Sequence, residues 1–313
     1  MSEIAFMGLP YVDLIRDDYP FARTGIPPEG ELSSPQKYRL AAGGSALNTI
    51  RTIGELGVAQ EDIAYVGVLG EERADPMGDM FMQLLKDEMP NIQSTLVRAP
   101  GVQTNFSDNM TNTSGDHIML ASVPASLAFT TETMLEAVVR IARNARIFYA
   151  GSCLKMEAFA DGFEQLPELI GDSAHIMVDH GQMPGGLSPR LTQAVKQFIP
   201  QVHTYLPSNK KGEFCDFWRV KTVRDGLHKL YDLAPGLTVI VKDGPNGAHY
   251  MRDGEVYTEP AIPVKQGGGA TGLGDAFNGG YMTGIMSGMT IPEAVGRANR
   301  AGAARYSGRP LSA

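Results

Sequence analysis

Residues 268–275 read GGATGLGD, four glycines and one aspartate in a stretch short enough to be a single turn. The residues that follow, AFNGGYMTGIMSGM, are apolar enough for a buried helix although their glycines cost helix stability. Glycines ahead of a helix let the backbone turn tightly and aim successive N–H groups inward. The helix start adds partial positive charge, so the combination is an anion site. Asp275 stands where the anion would arrive. A carboxylate there has a chemical use if it takes a proton from an attacking hydroxyl while the backbone amides hold a phosphoryl group. The alternative is an Asp N-cap on a glycine-rich turn. A dinucleotide fingerprint fails on spacing, because Gly272-Leu273-Gly274 is followed by Asp275-Ala276-Phe277 with no third glycine. No Gly-Lys-Ser/Thr follows, so this is not a Walker loop either.

A second glycine element, AAGGSALNTIRTIGELG, contains Gly43-Gly44 and then Asn48 on an emerging helix. Paired glycines admit a ligand close to the backbone, and an Asn amide offers both a donor and an acceptor. A glycine turn with Ser45 as helix cap is the structural alternative.

These loops need a scaffold. Short β-rich runs (IAFMG, DIAYVGVLG, ARIFYAG, AHIMVDH, VHTYLPSN, LTVIVKDG) alternate with helical patterns such as DPMGDMFMQLLKDEM and SPRLTQAVKQFI. That order predicts an α/β fold with a mainly parallel sheet covered by helices on both faces. Ligands in such folds bind at the carboxyl ends of the strands. Residues 16–40, rich in Pro and charge, and 98–122, polar and partly alternating, break the rhythm. They are expected to form a small sheet standing off the main body, the second stretch turning at Ser114-Gly115-Asp116. HYMRDGEVYTEP reads as a hairpin turning at Asp253-Gly254.

Composition narrows the function. A net charge of -8 argues against a general nucleic-acid binder. Two cysteines, Cys153 and Cys215, cannot form a disulfide framework. The start MSEIAFMGLPYVD lacks a basic and apolar leader, and no run approaches the ~18 apolar residues of a membrane span, so a cytoplasmic protein is expected. The six histidines show no metal-ligand spacing, so no protein-held structural metal is expected.

With Gly43-Gly44, Asn48 and Leu56-Gly57, the first glycine element resembles the first signature of the ribokinase/PfkB sugar kinase family. GATGLGDAFNGG resembles its second, usually D-T-x-G-A-G-D. MGLPYVD, LPSN, VIVKDGPNGAHY and EAVGRANRAGA resemble family elements in the same order along nearly the whole chain. The resemblance implies one kinase domain over 1–313, a three-layer α/β/α ribokinase-like sandwich, with the lid in 16–40 and 98–122. It implies transfer of the γ-phosphoryl group of ATP, with Mg2+, to a hydroxyl of a sugar or sugar derivative, a nucleoside being the second choice. Asp275 would be the base, and Gly272, Leu273 and Gly274 would supply amides to the transferring group. Asp13, ending the N-terminal strand, would hold the acceptor with Gly43, Gly44 and Asn48. Asn209, Lys242, Gly244, Gly247, Thr271 and Asn299 would lie on the nucleotide side. Because lone lid sheets leave edges and a face uncovered, a homodimer through the lid is expected.

Three places depart from the family pattern. VDHGQ at 178–182 replaces D-x-N-x-R, so a basic phosphate contact is missing. Glu213 follows Asn209 one residue late for N-x-x-E, and Lys210 or Lys211 could substitute as phosphate contacts. Gly269 stands where the second signature begins with Asp. A sugar-binding sensor without turnover is the rival these departures support, and the retained Asp275 counts against it. In K+-activated relatives the Asp at the Gly269 position helps build a cation site, and losing a carboxylate removes the strongest attraction for the ion. Activity is therefore predicted to depend weakly on K+. The check is kcat in tetramethylammonium buffer with and without KCl at matched ionic strength, and a rise of ~10-fold or more, well over 1 kcal/mol, would contradict it.

Overall fold

The computed structural model describes residues 2–17, 37–72, 75–112, 117–152, 156–171, 174–181, 188–264 and 271–311. Gly269, Gln182, Cys153 and the Ser114-Gly115-Asp116 turn lie outside the described residues.

The strands are β1 Ile4–Met7, β2 Tyr11–Asp17, β3 Lys37–Gly43, β4 Ile63–Leu69, β5 Gln93–Arg98, β6 Asn105–Thr111, β7 His117–Ser122, β8 Ile147–Gly151, β9 His175–Asp179, β10 Thr204–Tyr205, β11 Thr238–Lys242, β12 Ala248–Arg252 and β13 Glu255–Glu259. The helices are α1 Ser45–Glu55, α2 Pro76–Glu88, α3 Pro124–Leu127, α4 Thr131–Ala142, α5 Leu166–Ile170, α6 Pro189–Phe198, α7 Phe214–Trp218, α8 Val223–Leu233, α9 Leu273–Met286 and α10 Ile291–Ser307.

Among the described residues the main sheet runs β13-β12-β11-β10-β9-β8-β1-β4-β5. From β5 to β11 the pairings are parallel, and β12 and β13 add an antiparallel edge. Strand β1 reads IAFM because both of its faces are covered. Ile4 and Phe6 pack with α1, α9 and α10, and Ala5 and Met7 share the other core with α4, α6 and α8. The result is the three-layer α/β/α sandwich. The chain leaves β1 toward β4 on one side and later reaches β8 on the other, so the strand order reverses at β1. A crevice opens outside the carboxyl ends of strands at such a reversal.

The helix α9 is buried from Ala276 to Gly284, which accounts for its apolar sequence. Its glycines allow close packing: a methyl at Gly280 would sit 2.8 Å from Ala301 Cβ, and one at Gly279 2.6 Å from Thr52 Cγ2. The helix interior therefore accepts low propensity in return for contact with α10 and α1. The β12–β13 hairpin turns as expected at Asp253 (φ 52°) and Gly254 (φ 79°), with Arg252 opposite Glu255. Two left-handed residues are what a two-residue type I′ turn needs.

The second sheet has the order β3-β2-β6-β7. Its bounds differ from those read in the sequence. MGLPYVD is not one strand: β1 stops at Met7, and Tyr11 begins β2 in the small sheet, so Asp13 belongs to the lid. The lid takes in residues 11–17 and 37–43, and of the second stretch the strands 105–111 and 117–122; Arg98 instead ends β5, the edge strand of the main sheet, in register with β4. The sequence hid this because the tight Gly8-Leu9-Pro10 passage carries apolar residues on both sides. Residues 18–36 lie outside the described residues. On one lid face Asp13 is in register with Ala41 and Ser107. On the other, Leu40, Leu14, Asp108 and Leu120 form a cross-strand row. Tyr38, Leu40 and Leu120 on that outer face are exposed.

Candidate active site

The site forms where the two glycine elements meet. The helix α9 begins at Gly272, whose φ of 76° is in the left-handed region that favours glycine. Asp275 is not the N-cap but the third residue of the helix, and its side chain makes no capping bond. Its carboxylate turns instead to α1: Ser45 donates its hydroxyl to Oδ1 at 2.5 Å, and Asn48 donates Nδ2 to Oδ2 at 3.0 Å. Ser45 is therefore no helix cap either; Gly44 holds that position with φ 112° and no side-chain bond. The first amides of α9, those of Leu273, Gly274 and Asp275, have no intrahelical acceptor and stand beside the carboxylate.

Asp275 is half-buried. Burial pushes its carboxyl above the ordinary range, against the pull of the Ser45 and Asn48 hydrogen bonds. The Asp179 charge raises it further and the Lys242 ammonium lowers it.

Behind the turn lies a buried polar group. Lys242, the last residue of β11, donates to Asp179 Oδ2 at 2.7 Å and to Asn278 Oδ1 at 2.9 Å. Asn278 Nδ2 donates to Asp179 Oδ2 at 2.6 Å and to the Tyr149 hydroxyl at 2.9 Å. Burial raises the Asp179 carboxyl, but Lys242 and Asn278 more than offset that and hold it below its ordinary value. The Lys242 ammonium is thus engaged within the protein. It also lies just under the turn, 3.6 Å from where a Gly274 Cβ would be.

On the lid side, Ser107 donates to Asp13 Oδ1 at 2.6 Å and accepts from Asn109 at 2.5 Å. Gly43 is glycine because the Asp13 carboxylate lies over it: an added Cβ would be 1.9 Å from Oδ2. Burial raises the Asp13 carboxyl to about 6, with Ser107, Arg51 and Arg39 pulling it down. Asp13, Asn48, Asn109, Thr271 and Gly272 line one cleft of about 780 Å³. The sequence-predicted acceptor residues Asp13, Gly43, Gly44 and Asn48 are therefore gathered with Asp275, while Ser45, Ser107 and Asn109 were missed as isolated polar residues.

The remaining predicted residues surround the far end of β11. Asn209 donates Nδ2 to Asp243 Oδ1 at 2.9 Å, and its backbone N–H bonds the Lys242 carbonyl. Gly244 and Gly247 bound a short 3-10 turn; Gly247 (φ 89°) passes so close to Glu259 that a Cβ would meet its carbonyl at 2.1 Å. Asn299 on α10 donates to the carbonyls of Glu259 and Pro260, bracing the chain after β13. Thr271 is exposed at the cleft. Lys210 and Lys211 are exposed. Glu213 is buried despite its displaced spacing, burial raises its carboxyl to about 6, and its Oε2 has no partner among the described residues. His180 is buried, its Nδ1 bonded to the Tyr205 hydroxyl and its ring against Phe217; burial lowers it to about 4, a neutral structural histidine. No group of three or more metal-ligating side chains occurs among the described residues, and no helix among them is long and apolar enough to cross a membrane.

A three-layer α/β/α body with a small lid sheet, closing on a glycine-turn aspartate, defines a ribokinase-like protein. The pfkB family carbohydrate kinase model matches residues 1–308, and the chain belongs to that family. It is 25% identical to a 2-dehydro-3-deoxygluconokinase of Haemophilus influenzae, over 96% of this chain and 92% of the relative. In fold it is similar to a Schistosoma mansoni adenosine kinase in complex with 2-fluoroadenosine (TM-score 0.78, 18% identity, 99% and 97% of the two chains). It is likewise similar to an E. coli protein called ribokinase II in complex with ATP and Mg2+ (TM-score 0.75, 19% identity, 100% and 95%).

The raised carboxyl of Asp275 carries a stability consequence. A carboxylate whose folded-state pKa is raised contributes stability at low pH, and that contribution is lost as pH rises through the raised value. Asp275→Asn keeps the shape and removes the charge. It is expected to raise the thermal midpoint at pH 7–8, with the gain fading toward pH 4. Midpoints of both proteins across pH 4–8 check this, and a variant less stable than wild type at pH 8 would contradict it.

Proposed function

We propose that this protein is an ATP-dependent kinase that transfers the γ-phosphoryl group to a hydroxyl of a sugar or sugar derivative, with Asp275 as general base. The observation that carries this reading is the carboxylate itself, held in the first turn of α9 by Ser45 and by Asn48, which lines the same cleft as Asp13. A sensor without turnover has no use for a half-buried charge there.

Asp13 accepts hydrogen bonds from acceptor hydroxyls, and Ser107 and Asn109 fix its orientation. Asn48 binds beside it. Asp275 takes the proton from the attacking hydroxyl, and the amides at Gly272, Leu273 and Gly274 donate to the transferring phosphoryl group, where charge is spread over the oxygens. Lys242 keeps the Asp179 charge neutralised beneath the turn. Asn209, the 244–247 turn and the Asn299 brace border the nucleotide. Mg2+, when bound, would neutralise phosphate charge. The unpartnered Glu213 oxygen suits it, since Mg2+ in kinases takes one or two carboxylates with substrate phosphates and waters. The relative named as a 2-dehydro-3-deoxygluconokinase supports a sugar acid among the acceptors.

ADP release measured with ATP, Mg2+ and separate panels of sugars, sugar acids and nucleosides tests the reading. Turnover is expected with a member of the first two panels. Asp13→Ala is expected to raise the acceptor KM about 10- to 100-fold, with less effect on ATP, since a lost hydrogen bond to a charged group costs roughly 1.5–3 kcal/mol. Turnover with nucleosides alone, or with none, would overturn the sugar assignment.

The exposed outer row of the lid, Leu40 and Leu120 with Tyr38, supports a homodimer through this face. Sedimentation is expected to give a dimer that Leu120→Asp dissociates, and a wild-type monomer at micromolar concentration would contradict it.

A further inference from the structure

Arg51 plays no part in the reading above, yet its guanidinium sits at a junction. It lies one turn after Asn48 on α1 and donates Nη1 to Asn48 Oδ1 at 2.8 Å. It also bonds Glu88 at the end of α2, with Nη2 to Oε2 at 2.6 Å and Nε to Oε1. Nη2 further donates to the carbonyl of Ala42, the residue of β3 just before Gly43-Gly44. One side chain thus ties the catalytic face of α1 to α2 and to the root of the lid.

The Asn48 amide stands between two charged groups of opposite sign. Its oxygen meets the Arg51 cation and its NH2 meets the Asp275 carboxylate. The flipped amide would set NH2 against a guanidinium and C=O against a carboxylate, and an Asn cannot satisfy either arrangement. Glu88, held bidentately, keeps the guanidinium from following the amide into the cleft.

We propose that Arg51 is a positioning residue of the phosphoryl-transfer site: anchored by Glu88 and Ala42, it locks the Asn48 amide with its NH2 on Asp275. The proposal rests on Asp275 being the base only for its effect on turnover; the lock itself is a property of the protein alone. Without Arg51 the amide oxygen loses its partner and the side chain is free to leave the carboxylate. The other charged or titratable groups that act on Asp275 come from other elements: Asp179 on β9, Lys242 on β11, Asp13 on β2 and Tyr149 on β8. None of these is hydrogen-bonded to Arg51, although its charge lowers the Asp13 carboxyl.

The test is a pH titration of protein carrying 13C-carboxyl aspartate, followed by NMR without any ligand. The resonance missing in Asp275→Asn is that of Asp275, and the one missing in Asp13→Asn is that of Asp13. In Arg51→Met the Asp275 titration is expected to move up by about one unit, the order of a lost hydrogen bond to a charged group. Arg51→Lys, which cannot make the forked contacts, is expected to move it partway. Should Arg51→Met fail to fold, Glu88→Gln serves, with a smaller upward shift expected because the guanidinium loses its charged anchor. An unchanged Asp275 titration in the folded variants would overturn the proposal, whatever the acceptor panels show. Where turnover is found with a sugar, the acid limb of kcat is expected to move by the same amount in Arg51→Met; an acid limb that stays in place while the NMR titration moves would sink the kinase role of Asp275 and leave the lock standing.

Discussion

The Asp275 carboxylate is bound by two side chains from a different helix, Ser45 and Asn48, and this contact requires the rest of the architecture. It requires α1 and α9 to lie close enough for i-to-j reach across some 230 residues of chain, which the Gly279 contact with Thr52 allows. It requires a charge to persist in a half-excluded site. The helix N-terminus and the Lys242 ammonium favour that charge; burial and Asp179 oppose it. The balance leaves the carboxyl easier to protonate than a free Asp, the direction that makes a stronger base.

The sheet supplies the geometry. Reversal of strand order at β1 opens the crevice, and the excursion from β1 through β2 and β3 puts Asp13 across it before α1 returns to the body. Gly43 then has to be glycine so that Asp13 can lie over the backbone. The lid and the Asp275 carboxylate are therefore coupled through a short piece of chain: Ala42, Gly43, Gly44 and Ser45 run from the lid strand to the residue that donates to Asp275 without a break.

Much of this was legible in the residues. The alternation of apolar runs and helical patterns gave the α/β sandwich, because strands covered on both faces need continuous apolar sequence. Gly272 and Asp275 declared the turn, since a left-handed helix start needs glycine. What stayed hidden were relations between distant polar residues. Ser45 looks the same in sequence whether it caps a helix or holds a carboxylate. Ser107 and Asn109 are ordinary alternating polar residues until the sheet register sets them beside Asp13. Asp179, Asn278 and Lys242 carry no local sign that they share one buried network, although Asn278 follows Asp275 by three residues and so lies near it on the same helix. The lid boundaries were misplaced because Gly8-Leu9-Pro10 has no polar break to separate two strands of different sheets. Glu213, one residue late by spacing, is still buried with a free oxygen because the chain turns at Lys210 and brings it back.

The central claim is that Asp275 acts on the acceptor and is more than a support for α9. The most direct measurement is kcat of Asp275→Asn beside its affinity for nucleotide, made with whichever acceptor the wild type turns over. General-base catalysis contributes ~10²- to 10⁴-fold, so kcat is expected to fall at least that far while the nucleotide Kd is little changed. A variant that keeps half the wild-type kcat would reduce Asp275 to a structural carboxylate and contradict the account.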